Sequence, residues 1–375
     1  MTRILTTLAI ATFVTSTAYA GTPSPAKTYA KAKTECGGGN MDACAFLGVH
    51  YQNGKGVEQN ITEAQRLFEL ACNGGSQIGC TDLAAHHLQG TPTENKIETA
   101  NGLYEAACQS DVGRACSGFA YSLMTHTENP SRDVKERALK FAKRGCYLED
   151  GWGCYLLGTH ELETKKRKKK ARTLYKQSCS FDHGPGCILL GQLLISGEGG
   201  KKDPKKGAEL FHRACELGQP SGCGHLGRLL QSGLGVPTSA SQAAKLFKIA
   251  CDAGDPRSCA DLGMMCVRAQ GIPLDYSCAK RRFKQACDRS YARGCTNLGL
   301  LHQKGLKVRK NPRKALTLYE RACRLGDGKA CAWVGVLYQS DFATLPASQK
   351  KAESALRKGC SAGHAFACAA LEVGE

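Results

Sequence analysis

Beyond residue 20 the chain has no apolar run approaching eighteen residues, so no later helix is expected to span a bilayer. Acidic side chains are scarce: 33 Asp and Glu face 51 Lys and Arg, a formal net charge of +18. That imbalance points to an anionic partner, whether an acidic protein surface, lipopolysaccharide or nucleic acid. Aromatic residues make up only 7% and do not interleave with the basic ones, so no nucleic-acid module is recognisable and nucleic acid is not the expected partner. Gly-x-Ser-x-Gly, a zinc-protease histidine pair and a phosphate loop are all missing, which removes the commonest hydrolase and nucleotide-binding signatures. No linker or shift of composition interrupts residues 21–375, so they are read as a single array.

Residues 1–20 carry one Arg, an apolar run from Ile4 to Val14 and the small-x-small ending Ala18-Tyr19-Ala20, the pattern of a secretory signal peptide. The mature chain is expected to be exported, periplasmic or secreted. In an oxidising compartment paired thiols become disulfides. The cysteines are abundant, 22 in all, and 20 of them form pairs eight positions apart. These rungs are Cys36/Cys44, Cys72/Cys80, Cys108/Cys116, Cys146/Cys154, Cys179/Cys187, Cys215/Cys223, Cys251/Cys259, Cys287/Cys295, Cys323/Cys331 and Cys360/Cys368. Structural zinc sites want ligands two to four residues apart, so seven intervening residues favour disulfides. Successive rungs begin 33 to 38 residues apart, most often 36, which marks a repeat architecture.

One unit shows the physics. After Cys223 comes a helical run, Gly224 to Gln231, with Leu226, Leu229 and Leu230 on one face, ended by Ser232-Gly233-Leu234-Gly235-Val236-Pro237. Ser239 or Ser241 caps a second helix through Ala243, Ala244, Leu246, Phe247 and Ala250 to Cys251. Such a hairpin cannot bury its apolar faces alone, and stacking on its neighbours completes the core. Gly recurs in the first helix (Gly48, Gly158, Gly191, Gly227, Gly263, Gly299, Gly335), where a side chain would hold the helices apart. An aromatic precedes the next rung (Phe68, Tyr104, Tyr175, Phe211, Phe247, Phe283, Tyr319), placed to fill the space between units.

Cysteine, seven residues, cysteine, Leu-Gly, a Gly-x-Gly turn, Ala and an aromatic before Ala-Cys is a pattern that resembles the Sel-one-like repeat, a relative of the tetratricopeptide repeat. The rungs make the chain similar to the secreted helicobacter cysteine-rich proteins. The resemblance covers Lys27 to the C-terminus and implies an all-α, right-handed superhelical α/α solenoid, stapled by disulfides, with a concave binding face. The expected count is twenty helices: a half-repeat at 27–36, nine hairpins over 37–359 and a closing half-repeat at 360–375.

The resemblance implies a non-catalytic scaffold that binds a protein or peptide, as a monomer and without a cofactor or metal. Candidate contact positions lie one residue past the recurring small residue: Val49, Ala85, Tyr121, Gln192, Arg228 and Met264. Similar proteins have been linked with penicillin binding and weak β-lactam hydrolysis, which makes a β-lactamase-like hydrolase the alternative. That chemistry needs Ser-x-x-Lys with Ser-Asp-Asn and Lys-Thr-Gly partners. Ser24 to Lys27 and Ser348 to Lys351 match the first motif, and neither partner motif occurs.

Three features depart from the repeat. Lys165, Lys166, Arg167, Lys168, Lys169, Lys170 and Arg172 replace one glycine turn; lysines at a helix start oppose its dipole, so an anion-binding patch is weighed against a solvated loop. Cys266 and Cys278 fall outside the rungs, and a bridge tying the two helices of one hairpin is expected, with free thiols or an intermolecular bond as alternatives. His50, His86 and His160 occupy one equivalent position, with His87 and His302 one residue on, which raises metal or haem binding as a second alternative to polar residues on a helix face.

Overall fold

The computed structural model describes residues 24–164, 166–339 and 348–372. The expected leader, Lys165 of the basic run and the last residues of the closing half-repeat lie outside the described residues. The chain divides into two compact units, Met1–Gly218 and Gln219–Glu375.

Unit 1 begins with a lone helix, α1 (Pro25–Gly37). Five hairpins follow: α2 (Met41–Asn53) with α3 (Ile61–Asn73), α4 (Gln77–His87) with α5 (Glu94–Gln109), α6 (Gly113–Thr125) with α7 (Arg132–Tyr147), α8 (Gly151–Glu163) with α9 (Lys168–Ser180), and α10 (Gly184–Ser196) with α11 (Pro204–Glu216). Unit 2 holds four hairpins: α12 (Pro220–Ser232) with α13 (Ala240–Asp252), α14 (Pro256–Arg268) with α15 (Tyr276–Asp288), α16 (Ala292–Lys304) with α17 (Pro312–Arg324), and α18 (Gly328–Gln339) with α19 (Gln349–Ser361). Helix α20 (Ala365–Glu372) closes it. The twenty helices and nine hairpins are those the cysteine period predicts, and the described residues contain no strand.

Local chemistry sets the helix ends. Asn60, Ser239 and Asn311 accept hydrogen bonds from the backbone N–H three residues on, the N-cap geometry that satisfies an orphan donor. Of the two serines considered as caps for α13, Ser239 takes the role. Helix α12 starts at Pro220, four residues earlier than the apolar pattern indicates, because proline is favoured in the first turn. The rungs therefore lie inside helices: Cys251 is in the last turn of α13 and Cys259 in the first turn of α14.

In unit 1 bridges join Cys36–Cys44, Cys72–Cys80, Cys108–Cys116, Cys146–Cys154 and Cys179–Cys187. In unit 2 they join Cys251–Cys259, Cys287–Cys295, Cys323–Cys331 and Cys360–Cys368. Cys215 and Cys223 are not free thiols either. Cys266 and Cys278 are bonded at a Cα–Cα distance of 6.1 Å and tie α14 to α15 within one hairpin. Each eight-residue closure contributes about 2.5 kcal/mol in the chain-entropy view.

A backbone feature of the rungs escapes the sequence pattern. The third residue after each first cysteine has positive φ, and it is not always glycine: Asp111 (60°), Glu149 (60°), Asp182 (54°) and Ser290 (59°) take the position held elsewhere by residues such as Gly254 (99°). This left-handed residue reverses the chain between one hairpin and the next.

The glycine and aromatic positions form a lock. A methyl group on Gly48 would lie 2.5 Å from the Phe68 ring, on Gly158 2.7 Å from Tyr175, on Gly263 2.6 Å from Phe283 and on Gly299 2.7 Å from Tyr319. The rings of Phe68, Tyr175, Phe283 and Tyr319 are fully buried. Where the second helix carries this ring, it thus packs against the bare backbone of the first; Leu356 takes the place against Gly335.

Candidate partner-binding surface

Within unit 1 each even-numbered helix packs on the next one, from α2 through α10; in unit 2, α12 packs on α14, α14 on α16 and α18 on α20. Odd-numbered helices touch across a repeat to a comparable degree only at α17 and α19. In unit 1 the even-numbered layer is the more closely spaced one; in unit 2 it is so except beside α17 and α19, which are closer than α16 and α18.

The face this layer leaves open follows from helical periodicity. Relative to the second cysteine of a rung, positions two before, two after and five after are spaced i, i+4 and i+7, one face of a helix. In α14 these are Arg257, Asp261 and Met264, exposed or half-buried, whereas Cys259, Leu262, Gly263 and Cys266 point into the core. All six predicted contact residues lie on this face, at the last of the three positions. Val49 and Ala85 are half-buried against core clusters, Tyr121 packs against Trp152 with the rings tilted at a centroid distance of 5.0 Å, and Gln192 is exposed. Arg228 is tied to Asp261 at 3.1 Å, and Met264 is half-buried.

The other two positions on the same face were missed at the level of sequence. In unit 1 they include Phe46, 54% exposed, and Trp152; in unit 2 they include Arg257, Arg293, Lys329 and Trp333. A constant offset from the second cysteine is the signal that finds them.

Electrostatics differ along the chain. In unit 1, Arg114 reaches Asp82 at 2.9 Å, Arg137 reaches Glu105 at 2.6 Å, Arg144 reaches Asp111 at 2.8 Å and Arg213 reaches Asp182 at 2.7 Å, each pair spanning neighbouring repeats. Burial pushes the Asp82 carboxyl up, and Arg114 offsets part of that rise. In unit 2 the acids are equally occupied. Asp252, Asp261, Asp288 and Glu353 pair with cations; Asp255, Asp275 and Asp327 cap helices; Glu320 accepts the Tyr338 hydroxyl. The Arg282 guanidinium at 2.6 Å holds Asp252 below the usual carboxylate range. His225 lies beside Arg228 and Arg257, and burial followed by those two charges pushes its imidazole down to about 4. Burial pushes His183 of unit 1 down to about 4 as well.

The basic run is partly consumed by its surroundings. Lys170 and Arg167 approach the buried carboxylate of Glu161 at 2.9 and 3.7 Å, Lys168 pairs with Glu198 at 3.1 Å, and Arg172 donates to the Lys201 carbonyl at 3.0 Å. A buried carboxylate needs cations beside it, which gives these residues a structural role. Lys166 and Lys169 remain exposed.

The residues weighed for other chemistry have local roles. Ser24 and Ser348 are N-caps whose hydroxyls accept the backbone N–H of Lys27 and Lys351, so Ser-x-x-Lys here has the geometry of a helix start. His50 bonds the Lys55 carbonyl through Nδ1 at 2.6 Å, and His160 contacts Thr164. Among the described residues no three His, Cys, Asp or Glu side chains converge as a metal site. No described helix is long and apolar enough to cross a membrane.

The Sel1 repeat family matches residues 42–76, 78–112, 184–219, 220–255 and 292–327. Among solved structures, a protective antigen of uropathogenic Escherichia coli displaying an SLR fold is similar at 21% identity. That match covers 92% of this chain and 73% of the antigen, with a TM-score of 0.60. A Sel1 repeat protein from Oxalobacter formigenes is similar at 23% identity, over 60% of this chain and 94% of its own, with a TM-score of 0.57. Helicobacter pylori cysteine rich protein B aligns at 29% identity over 36% of this chain and all of its own, with a TM-score of 0.31. No curated protein matches the sequence.

Proposed function

For a chain built of Sel1 repeats, we propose an exported, non-catalytic interaction scaffold that acts as a monomer in an oxidising compartment and binds a protein or peptide through the even-helix face. The observation that carries this reading is the register: half-exposed side chains recur at i, i+4 and i+7 on even helices whose ends are fixed by disulfides. A frame held in this way loses little conformational freedom on binding, so contacts made by the face are converted into affinity with a small ordering cost. The Tyr121–Trp152 pair supplies an aromatic anchor of the kind that dominates interfaces. The paired cysteines support an oxidising location outside the cytoplasm.

Photo-crosslinking side chains placed at Tyr121 or Trp152, on the even-helix face, and at Lys143, exposed on α7, test the reading in oxidised, exported protein. Partner adducts are expected from the first two positions and not from Lys143. Adducts at all three positions, or at none, would remove the even-helix face as the binding surface. In a nitrocefin assay, robust turnover abolished by Ser348→Ala would replace the scaffold with the hydrolase reading.

A further inference from the structure

Positive charge is unevenly distributed. Residues 219–375 hold 24 Lys and Arg against 11 Asp and Glu, a net +13 of the total +18; residues 1–218 hold 27 against 22, a net +5. The described acids of unit 2 are already paired, capping or hydrogen-bonded, so the excess is carried by cations without an internal partner. Three of them stand in register: Arg257 on α14, Arg293 on α16 and Lys329 on α18 each lie two residues before the second cysteine and exactly one repeat apart, at intervals of 36. All three are exposed, and among the described residues none has an ion pair or side-chain hydrogen bond.

The same face carries a second row. Met264, Leu300 and Val336, five residues after those cysteines, are half-buried and apolar. Beyond them lie the exposed Arg268 and Lys304. Between the two rows lie Asp261, which is paired with Arg228, Asn297 and Trp333, so the face of α14, α16 and α18 carries an apolar strip with cations towards both of its ends.

We propose that this face binds an extended acidic peptide whose carboxylates recur at every third residue. The proposal rests on the scaffold reading and names its partner. Packed helices stand about 10 Å apart, which sets the interval between Arg257 on α14 and Arg293 on α16; Lys329 follows one repeat on, on α18. A polyproline II segment has three residues per turn and rises about 9 Å per turn, so every third side chain points the same way at nearly that interval. Carboxylates at i, i+3 and i+6 meet Arg257, Arg293 and Lys329 in turn, and the remaining side chains cover the apolar strip. Arg forks and Lys ammonium groups both take carboxylates, the forks in bidentate fashion. A single-stranded nucleic acid would need a row of exposed rings for its bases, and across the three helices that carry the cations, α14, α16 and α18, the described residues at these three positions include one ring, Trp333; Phe366 lies beyond them on α20.

Two synthetic peptides of identical composition test the spacing on oxidised full-length protein. One carries Glu at every third position among prolines and small residues, and the other carries the same glutamates contiguously. Fluorescence anisotropy is expected to show at least tenfold tighter binding of the periodic peptide, weakening as salt rises. The triple variant Arg257→Gln, Arg293→Gln, Lys329→Gln is expected to lose at least tenfold, whereas Lys245→Gln, Arg281→Gln, Lys350→Gln on odd helices removes equal charge and leaves binding unchanged. Circular dichroism melts confirm that both variants fold. Equal affinity for the two peptides, equal losses in the two variants, or duplex DNA or lipopolysaccharide displacing the periodic peptide at lower concentration would each overturn the proposal. Failure of the peptide together with partner adducts at Tyr121 removes the acidic spacing and leaves the scaffold standing; loss of both removes both.

Discussion

Unit 1 and unit 2 use one fold to present differently charged surfaces, although both carry rings, Trp333 and Phe366 in unit 2 among them. In unit 1 the cations that reach across repeats find carboxylates: Arg114 with Asp82, Arg137 with Glu105, Arg144 with Asp111. What its even-helix face leaves open is aromatic, at Phe46, Tyr121 and Trp152. In unit 2 the acids whose side chains are described are committed to caps, ion pairs and, at Glu320, a hydrogen bond, and the open face keeps unpaired cations. The core residues behind the two faces are nearly interchangeable. Surface identity is therefore set at three positions per repeat, while the glycine, the aromatic ring and the cysteines keep the frame constant.

The largest test of that shared frame is the ring lock. Phe68→Ala in unit 1 and Phe283→Ala in unit 2 each empty a fully buried site. Both are expected to cost about 3–5 kcal/mol in chemical denaturation, since both lose the same contacts against a glycine backbone. A large cost in one unit and a small one in the other would break the equivalence of the cores.

Acid provides a subtler comparison, because each unit contains one histidine held down to about 4: His183 on the unit 1 side and His225 in unit 2. An unfolded imidazole titrates near 6.5 and binds protons that the folded one refuses. Stability is therefore complete above about pH 6.5, falls as pH drops from there towards 4, and changes little below that through these two groups. Melting temperature measured across this window is expected to decline in the native protein and to decline less in His183→Gln and in His225→Gln. Arg257→Gln is expected to reduce the His225 contribution and leave that of His183 unchanged, since its charge lies beside His225 and Arg228. An unchanged pH profile in all three variants would contradict the burial argument.

The smallest expected effect concerns the chain reversals. Glu149 in unit 1 and Ser290 in unit 2 are exposed and hold left-handed backbone without being glycine. Replacing either by Gly is expected to raise stability by about 0.5–1 kcal/mol, relieved strain outweighing the added freedom of the unfolded chain. A loss at either site would show that its side chain contributes more than its backbone costs.

The frame was legible because cysteine is conspicuous and periodic: ten rungs fix helix number, pairing and core, and the ring and glycine positions follow by offset. The binding face was less legible. Its positions hold Asp42, Ile78, Arg114, Trp152 and Pro185 in successive repeats of unit 1, so no residue type marks them. Only their equivalence under helical geometry does. The left-handed position was hidden for a similar reason, since Asp111, Glu149, Asp182 and Ser290 break the glycine pattern where backbone conformation is nevertheless retained. The basic run illustrates the converse. Its charge is conspicuous in sequence, yet the buried Glu161, paired with Arg167 and Lys170, explains much of it.

The eight-residue separation of the rungs also governs how the chain reaches its oxidised state. Among 22 thiols the correct partner is generally the nearest in sequence, and short loops close fastest, so pairing can proceed rung by rung while the chain emerges. Cys259, Cys266 and Cys278 are the exceptions. Cys259 and Cys266 are seven residues apart and Cys278 is nine from Cys287, whereas their native partners lie eight, twelve and twelve residues away, so proximity alone favours the wrong bonds. Once α14 forms, those seven residues of helix hold Cys259 and Cys266 about 10 Å apart, beyond the reach of a disulfide. At that point of the chain, helix formation before oxidation decides between the native bridges and a mispaired one.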